Sequence, residues 1–116
     1  MKPKVLFIIT GDPRTSPRPA EAIRIAAGVG AWKKADISVY LRGEAVLALS
    51  EFPDELVDED NFTRYLPIIG DWGRPVYVQA GAPLLSELGE APLKFEELTD
   101  DQLAQLAAQS HNVLRF

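Results

Sequence analysis

The sequence predicts a three-layer α/β/α sandwich on a mostly parallel sheet of about five strands, in one domain over residues 1–116. Three observations carry that expectation. Short β-branched and aromatic runs alternate with stretches of helical periodicity, the pattern of parallel strands joined by right-handed crossovers. The opening run Val5-Leu6-Phe7-Ile8-Ile9 is apolar at every position, as a strand covered on both faces must be. The composition, 47% hydrophobic and 25% charged, is that of an ordinary soluble globular chain, and 116 residues can bury about two thirds of their unfolded surface without disulfide staples.

Taken in order, Lys4–Thr10 reads as the first strand. It leads into Gly11-Asp12-Pro13-Arg14-Thr15-Ser16-Pro17-Arg18-Pro19, a loop by composition, with Pro19 acceptable in a helical first turn. Ala20–Lys34 reads as a helix with Ala22, Ile25, Ala26, Val29 and Trp32 on its inward stripe, where Gly28 and Gly30 permit close packing. Asp36–Arg42 alternates Ile37, Val39 and Leu41 against Ser38, Tyr40 and Arg42, giving a second strand that Gly43 breaks. A short apolar helix follows over Glu44–Leu49, and the acid-rich stretch 51–60 reads as a solvated loop. Phe62–Trp72 suits a helix that Pro67 must kink or end. Arg74–Ala80 is the third strand, Pro83–Leu88 a short helix and Leu93–Glu96 a short fourth strand. Thr99 and Gln102 have the spacing of a capping box, opening a helix to about Ser110 with Leu103, Leu106 and Ala107 inward, and Asn112–Phe116 closes as the last strand.

Cysteine is absent, which excludes disulfides, zinc-thiolate sites, iron–sulfur clusters and every thiol mechanism within this chain. One histidine, His111, is too few for a histidine-rich metal site, and the run 51–60 lacks the residue order of a calcium loop, so no metal and no cofactor are expected. The net charge of −5 is uneven: residues 1–42 sum to +5 and residues 43–116 to −10. An acidic chain is a poor binder of nucleic acid, although its basic first third could attract a small anion. The five-residue apolar run is far short of the roughly 20 residues a membrane span needs and too short for a signal-peptide core, so a cytoplasmic location is expected.

Ligands of parallel sheets sit beyond the carboxyl ends of the strands. Three loops meet that condition: Gly11–Arg18, Gly43-Glu44 and Gln79–Pro83. The first brings Gly11, Asp12, Arg14, Thr15, Ser16 and Arg18 to a helix entrance, a setting for anion capture by Arg14 and backbone amides. It matches no phosphate-loop or dinucleotide motif, and its plain reading is a Pro-rich surface connection. His111 reads as a helix-end residue. Trp32, Trp72, Phe52, Phe62 and Tyr65 read first as core and, as a minority reading, as the lining of a pocket or subunit contact.

Three junctions and the ending carry a family resemblance. Lys4-Val5-Leu6-Phe7-Ile8-Ile9-Thr10-Gly11, Leu41-Arg42-Gly43-Glu44-Ala45-Val46 and Val76-Tyr77-Val78-Gln79-Ala80-Gly81, with a helix led by Leu98-Thr99 running into Asn112-Val113-Leu114-Arg115-Phe116, resemble the DsrE/DsrF-like (TusD-like) sulfur-relay family. The resemblance implies a small α/β sandwich assembling into trimers or hexamers, whose active members carry a persulfide on a cysteine at the end of the third strand. That position here is Gln79, or one residue on, Ala80, and neither can hold sulfane sulfur.

The expected function is therefore a non-catalytic DsrE-like protein. It would act as an oligomeric scaffold or a small anionic-ligand binding module, with Gly11, Asp12, Arg14, Gly43, Glu44, Gln79 and Gly81 around the remnant pocket. Two alternatives stand beside it. One is a small enzyme acting on an anionic substrate through Asp12, Arg14 and His111. The other is a cysteine-less subunit of a hetero-oligomeric sulfur-transfer complex, whose partner supplies the cysteine.

Overall fold

In the computed structural model, which describes residues 2–116, five strands form one sheet in the order β4-β3-β2-β1-β5, and every neighbouring pair runs parallel. The strands are β1 (Lys4–Ile9), β2 (Asp36–Leu41), β3 (Val76–Gln79), β4 (Phe95–Leu98) and β5 (Asn112–Arg115). Helices α1 (Arg18–Ala31) and α2 (Glu59–Gly70) cover one face, and α3 (Asp100–Ala108) covers the other. Short 3₁₀ segments lie at Gly43–Leu49, Pro53–Glu55 and Pro83–Glu87. The expected sandwich is thus present, and its sheet is wholly parallel.

Period-2 alternation divides the strands between two cores of unequal size. Phe7, Ile9, Ile37, Val39, Leu41, Val76 and Val78 point into the larger one, against Ala22, Ile23 and Ala26 of α1 and Phe62, Leu66 and Ile69 of α2. Leu6, Ile8 and Tyr40 point the other way, under Leu103, Leu106 and Ala107 of α3. Tyr40 is fully buried, so β2 is apolar on both faces near its carboxyl end instead of presenting tyrosine to water as its alternation suggests. The α3 stripe is as expected, and the capping box that starts it is formed: Gln102 N donates to Thr99 Oγ1 at 3.2 Å while Thr99 N donates to Gln102 Oε1 at 2.9 Å.

Four local expectations are corrected. Trp32 lies on α1's exposed side, because the helix turns Ala22, Ile23, Ala26 and Ala27 inward and ends before the indole could reach the core. The 51–60 segment is partly built: Leu56 is buried and Glu59-Asp60 already belong to α2. Helix α2 passes through Pro67 and ends at Gly70. Pro67 sits on the exposed side, while Phe62, Leu66 and Ile69 bury the opposite one, a packing gain that outweighs the missing backbone hydrogen bond. Gly28 and Gly30 part ways: nothing lies within 4 Å of where a side chain at 28 would start, whereas Gly30 faces the Trp72 ring. Of the aromatic group, Phe62 is core, Tyr65 and Trp72 are half-buried, and Phe52 is exposed. The sheet's outer strand β4 presents Glu96 and Glu97 in succession.

Candidate functional site: the carboxyl-terminal rim

Parallel pairing brings all five carboxyl ends to one rim, with the loops after β1, β2 and β3 side by side. Gly11, Asp12, Arg14, Gly43, Glu44, Gln79 and Gly81 belong to those loops or, for Gln79, to the strand end beside them. His111 does not join them. It precedes β5, at the amino-terminal edge, where its Nδ1 accepts from the Lys4 backbone N–H at 2.8 Å and its own N–H donates to the Lys4 carbonyl at 2.7 Å. The length of β1 alone separates it from the rim by roughly 17 Å. An acid–base pair of Asp12 and His111 is therefore not assembled within one chain.

Five of these seven residues, Asp12, Arg14, Gly43, Gln79 and Gly81, are hydrogen-bonded to a neighbour. The Asp12 carboxylate accepts two hydrogen bonds from the Arg14 guanidinium, from Nε to Oδ1 at 3.0 Å and from Nη2 to Oδ2 at 3.0 Å, and a third from the Arg14 backbone N–H at 2.9 Å. These bonds hold the Asp12 carboxyl below the usual carboxylate range, and they raise the Arg14 guanidinium above its ordinary value, with further help from the charges of Glu44 and Glu87. The Asp12 carbonyl receives the N–H groups of Thr15 and Ser16, and Val57 N–H donates to the Pro13 carbonyl at 2.8 Å, so the loop is closed and pinned. Arg14 is in this way a neutralised partner of Asp12, in a locally acidic setting, and not a free anion hook.

The next two loops are closed in the same manner. Gly43 and Gly81 stand at φ +60° and +73°, a region that side chains rarely adopt, and each turns its N–H outward. Gln79 Oε1 takes the Gly43 N–H at 3.0 Å, and Glu97 Oε1 takes the Gly81 N–H at 3.0 Å. Arg42, which the sequence did not single out as a site residue, donates Nη1 to Tyr40 Oη at 3.1 Å and to Asp100 Oδ1 at 2.9 Å, linking β2 to the start of α3. Asp100 and then Tyr40 raise its basicity. Where the strand order reverses, between β1 and β5, Phe116 follows the end of β5. Its ring stacks on Phe7 with centroids 5.7 Å apart, its backbone bonds Thr10 and Ile8, and the Arg18 guanidinium lies 5.9 Å above it. No sequence motif marks Glu97, and Phe116 entered only as the last residue of the family-like ending; their contacts follow from the order of the strands.

Among the described residues no group of three or more His, Cys, Asp or Glu is placed to hold a metal ion, and no helix is long and apolar enough to cross a membrane.

No protein-family model matches the chain, and no curated protein matches it. Among solved structures it is similar to the YchN protein of E. coli, at 24% sequence identity and a TM-score of 0.78, over 100% of both chains. The likeness bears on the backbone: five parallel strands, their order and the flanking helices make this a DsrE-like fold.

Proposed function

We propose that the chain is a non-catalytic protein of DsrE-like fold that serves as an oligomeric scaffold. The observation that carries this reading is the state of Gln79. At the end of β3, where the resemblance places a sulfur-carrying cysteine, an amide side chain is spent on the Gly43 N–H, and no thiol exists in the 116 residues. The Arg14 guanidinium and the Gly81 N–H are likewise engaged internally, which leaves these groups unavailable to a small anion. Apolar side chains meanwhile remain available to a partner: Trp32 and Phe52 are 75% and 72% exposed, and Leu114 and Ile68 are exposed as well.

Native mass spectrometry of the purified protein tests the reading, with a trimer or hexamer as the expected species. A monomer that assembles only on mixing with a cysteine-bearing protein of the same fold would instead make it a subunit of a hetero-oligomeric sulfur-transfer complex. Turnover of any substrate that is lost in Gln79→Ala or Asp12→Asn would overturn the non-catalytic reading.

A further inference from the structure

Cavities open at the opposite edge of the sheet, beside the amino-terminal strand ends, and Arg74 lines three of them, of about 990, 530 and 120 Å³. The second falls within the size range of small-molecule sites, about 300–1,000 Å³. Its wall is the half-buried indole of Trp72. Helix α1 makes room for that ring: a Cβ at Gly30 would lie 2.2 Å from Trp72 Cζ2, so the helix carries a glycine there although glycine costs about 1 kcal/mol relative to alanine.

Lys2, Lys33 and Arg74 also line this cavity. Among the described residues none of the three makes an ion pair or a side-chain hydrogen bond, as is true of every Lys and Arg except Arg14, Arg24 and Arg42, so their charges are available to a ligand. Lys33 stands at φ +58°, one residue past the α1 cap, where glycine is the ordinary choice. A lysine in that conformation costs roughly 1 kcal/mol, and among the described residues no side-chain ion pair or hydrogen bond offsets it.

The cavity also contains Asp36 and Asp71. Two carboxylates oppose a bare anion, so a matching ligand combines a strongly negative group with hydrogen-bond donors and a planar face. We infer that this cavity binds a nucleoside phosphate. Trp72 stacks on the base, Lys2, Lys33 and Arg74 hold the phosphates, and Asp36 and Asp71 accept from hydroxyl or amino groups of the nucleoside. The inference uses no residue of the rim, but Lys33 directly follows Trp32, so native mass spectrometry of the titrated variant is run beside the titration to keep loss of assembly distinguishable from loss of ligand binding.

The test is a fluorescence titration with ADP in a Trp32→Phe background, which leaves Trp72 as the sole indole of the chain. Saturable quenching is expected. Lys33→Glu and Arg74→Glu, both at exposed positions, should each raise the ADP Kd by roughly tenfold or more while leaving the circular dichroism unchanged. Pyrophosphate should compete with ADP but bind roughly tenfold more weakly, the loss expected without base stacking. Absence of saturable quenching into the millimolar range would overturn the inference, as would ADP binding indifferent to both charge reversals. Pyrophosphate binding as tightly as ADP would overturn the nucleoside assignment.

Discussion

The two ends of the sheet treat their polar groups in opposite ways. At the carboxyl-terminal rim, Asp12 occupies Arg14, Gln79 occupies the Gly43 amide, Glu97 occupies the Gly81 amide and the Phe116 ring stacks on Phe7 of β1. At the amino-terminal edge, Lys2, Lys33 and Arg74 remain unpaired among the described residues, around a ring seated in a slot that only glycine permits. Internal hydrogen bonds engage Asp12, Arg14, Gln79 and Glu97 at the fold's usual ligand edge, where Arg18 still makes no ion pair, while the edge that parallel sheets rarely use keeps open cavities lined by three unpaired cations. Fold alone therefore does not locate function; the local disposition of donors and acceptors does.

The largest expected effect probes the open edge. Gly30→Ala places a methyl group inside the Trp72 ring. Overpacking of this kind costs about 1–3 kcal/mol and exceeds the gain in helix propensity, so urea denaturation should show a net loss of about 1–2 kcal/mol. Gly28→Ala on the same helix meets nothing and should stabilise by up to about 1 kcal/mol. Equal effects at both positions would mean that the Trp72 slot is not filled as described.

At the closed edge, Gln79→Ala strands the partly buried Gly43 N–H and should cost about 1–2 kcal/mol, with faster hydrogen exchange at that amide. If Gly43 exchange is unchanged, the rim is not held by this contact. Lys33→Gly relieves the left-handed backbone and should stabilise by about 0.5–1 kcal/mol in thermal unfolding, while weakening ADP binding in the same titration. Opposite signs for stability and binding are the signature of a residue kept for its ligand.

The smallest effect concerns pH. Because the folded Asp12 carboxyl titrates below its unfolded value of 3.8, its contribution is fully present above that value and is lost as pH falls through the lower folded value. The pair is partly exposed, so the effect is small. Wild type and Asp12→Asn should differ in melting temperature at pH 6 and converge toward pH 2. A difference that persists unchanged at pH 2 would show that Asp12 acts through something other than its charge.

Most of the fold was legible in the residues because it rests on local periodicity. The apolar run of β1, the alternation in β2 and the Thr99–Gln102 capping box each specify an element without reference to the rest of the chain. Pro67 misled because tertiary packing of Phe62, Leu66 and Ile69 outweighs one lost backbone bond. Trp32 misled because helical spacing alone does not say where a helix leaves its core. The rim loops were also legible, since strand ends can be read from sequence. That several of their donors are already engaged was not, because the bonds that tie the loops to one another join residues distant in the chain: Gln79 with Gly43, Glu97 with Gly81, Arg42 with Asp100. The edge cavity was hidden for the same reason, as Lys2, Lys33, Trp72 and Arg74 converge only after β1, α1 and β3 are in register. Only the excess of basic residues in the first third hinted at it.

The acidic pair on β4 has a consequence for solubility. An outer strand offers unpaired backbone groups to any other strand that arrives, and neighbouring strands lie about 4.8 Å apart. A second copy docking β4 against β4 would bring Glu96 and Glu97 of both chains within that spacing, four like charges along a four-residue strand. Such repulsion discourages the sheet from growing sideways across its β4 edge; the opposite outer strand, β5, carries no such acidic pair.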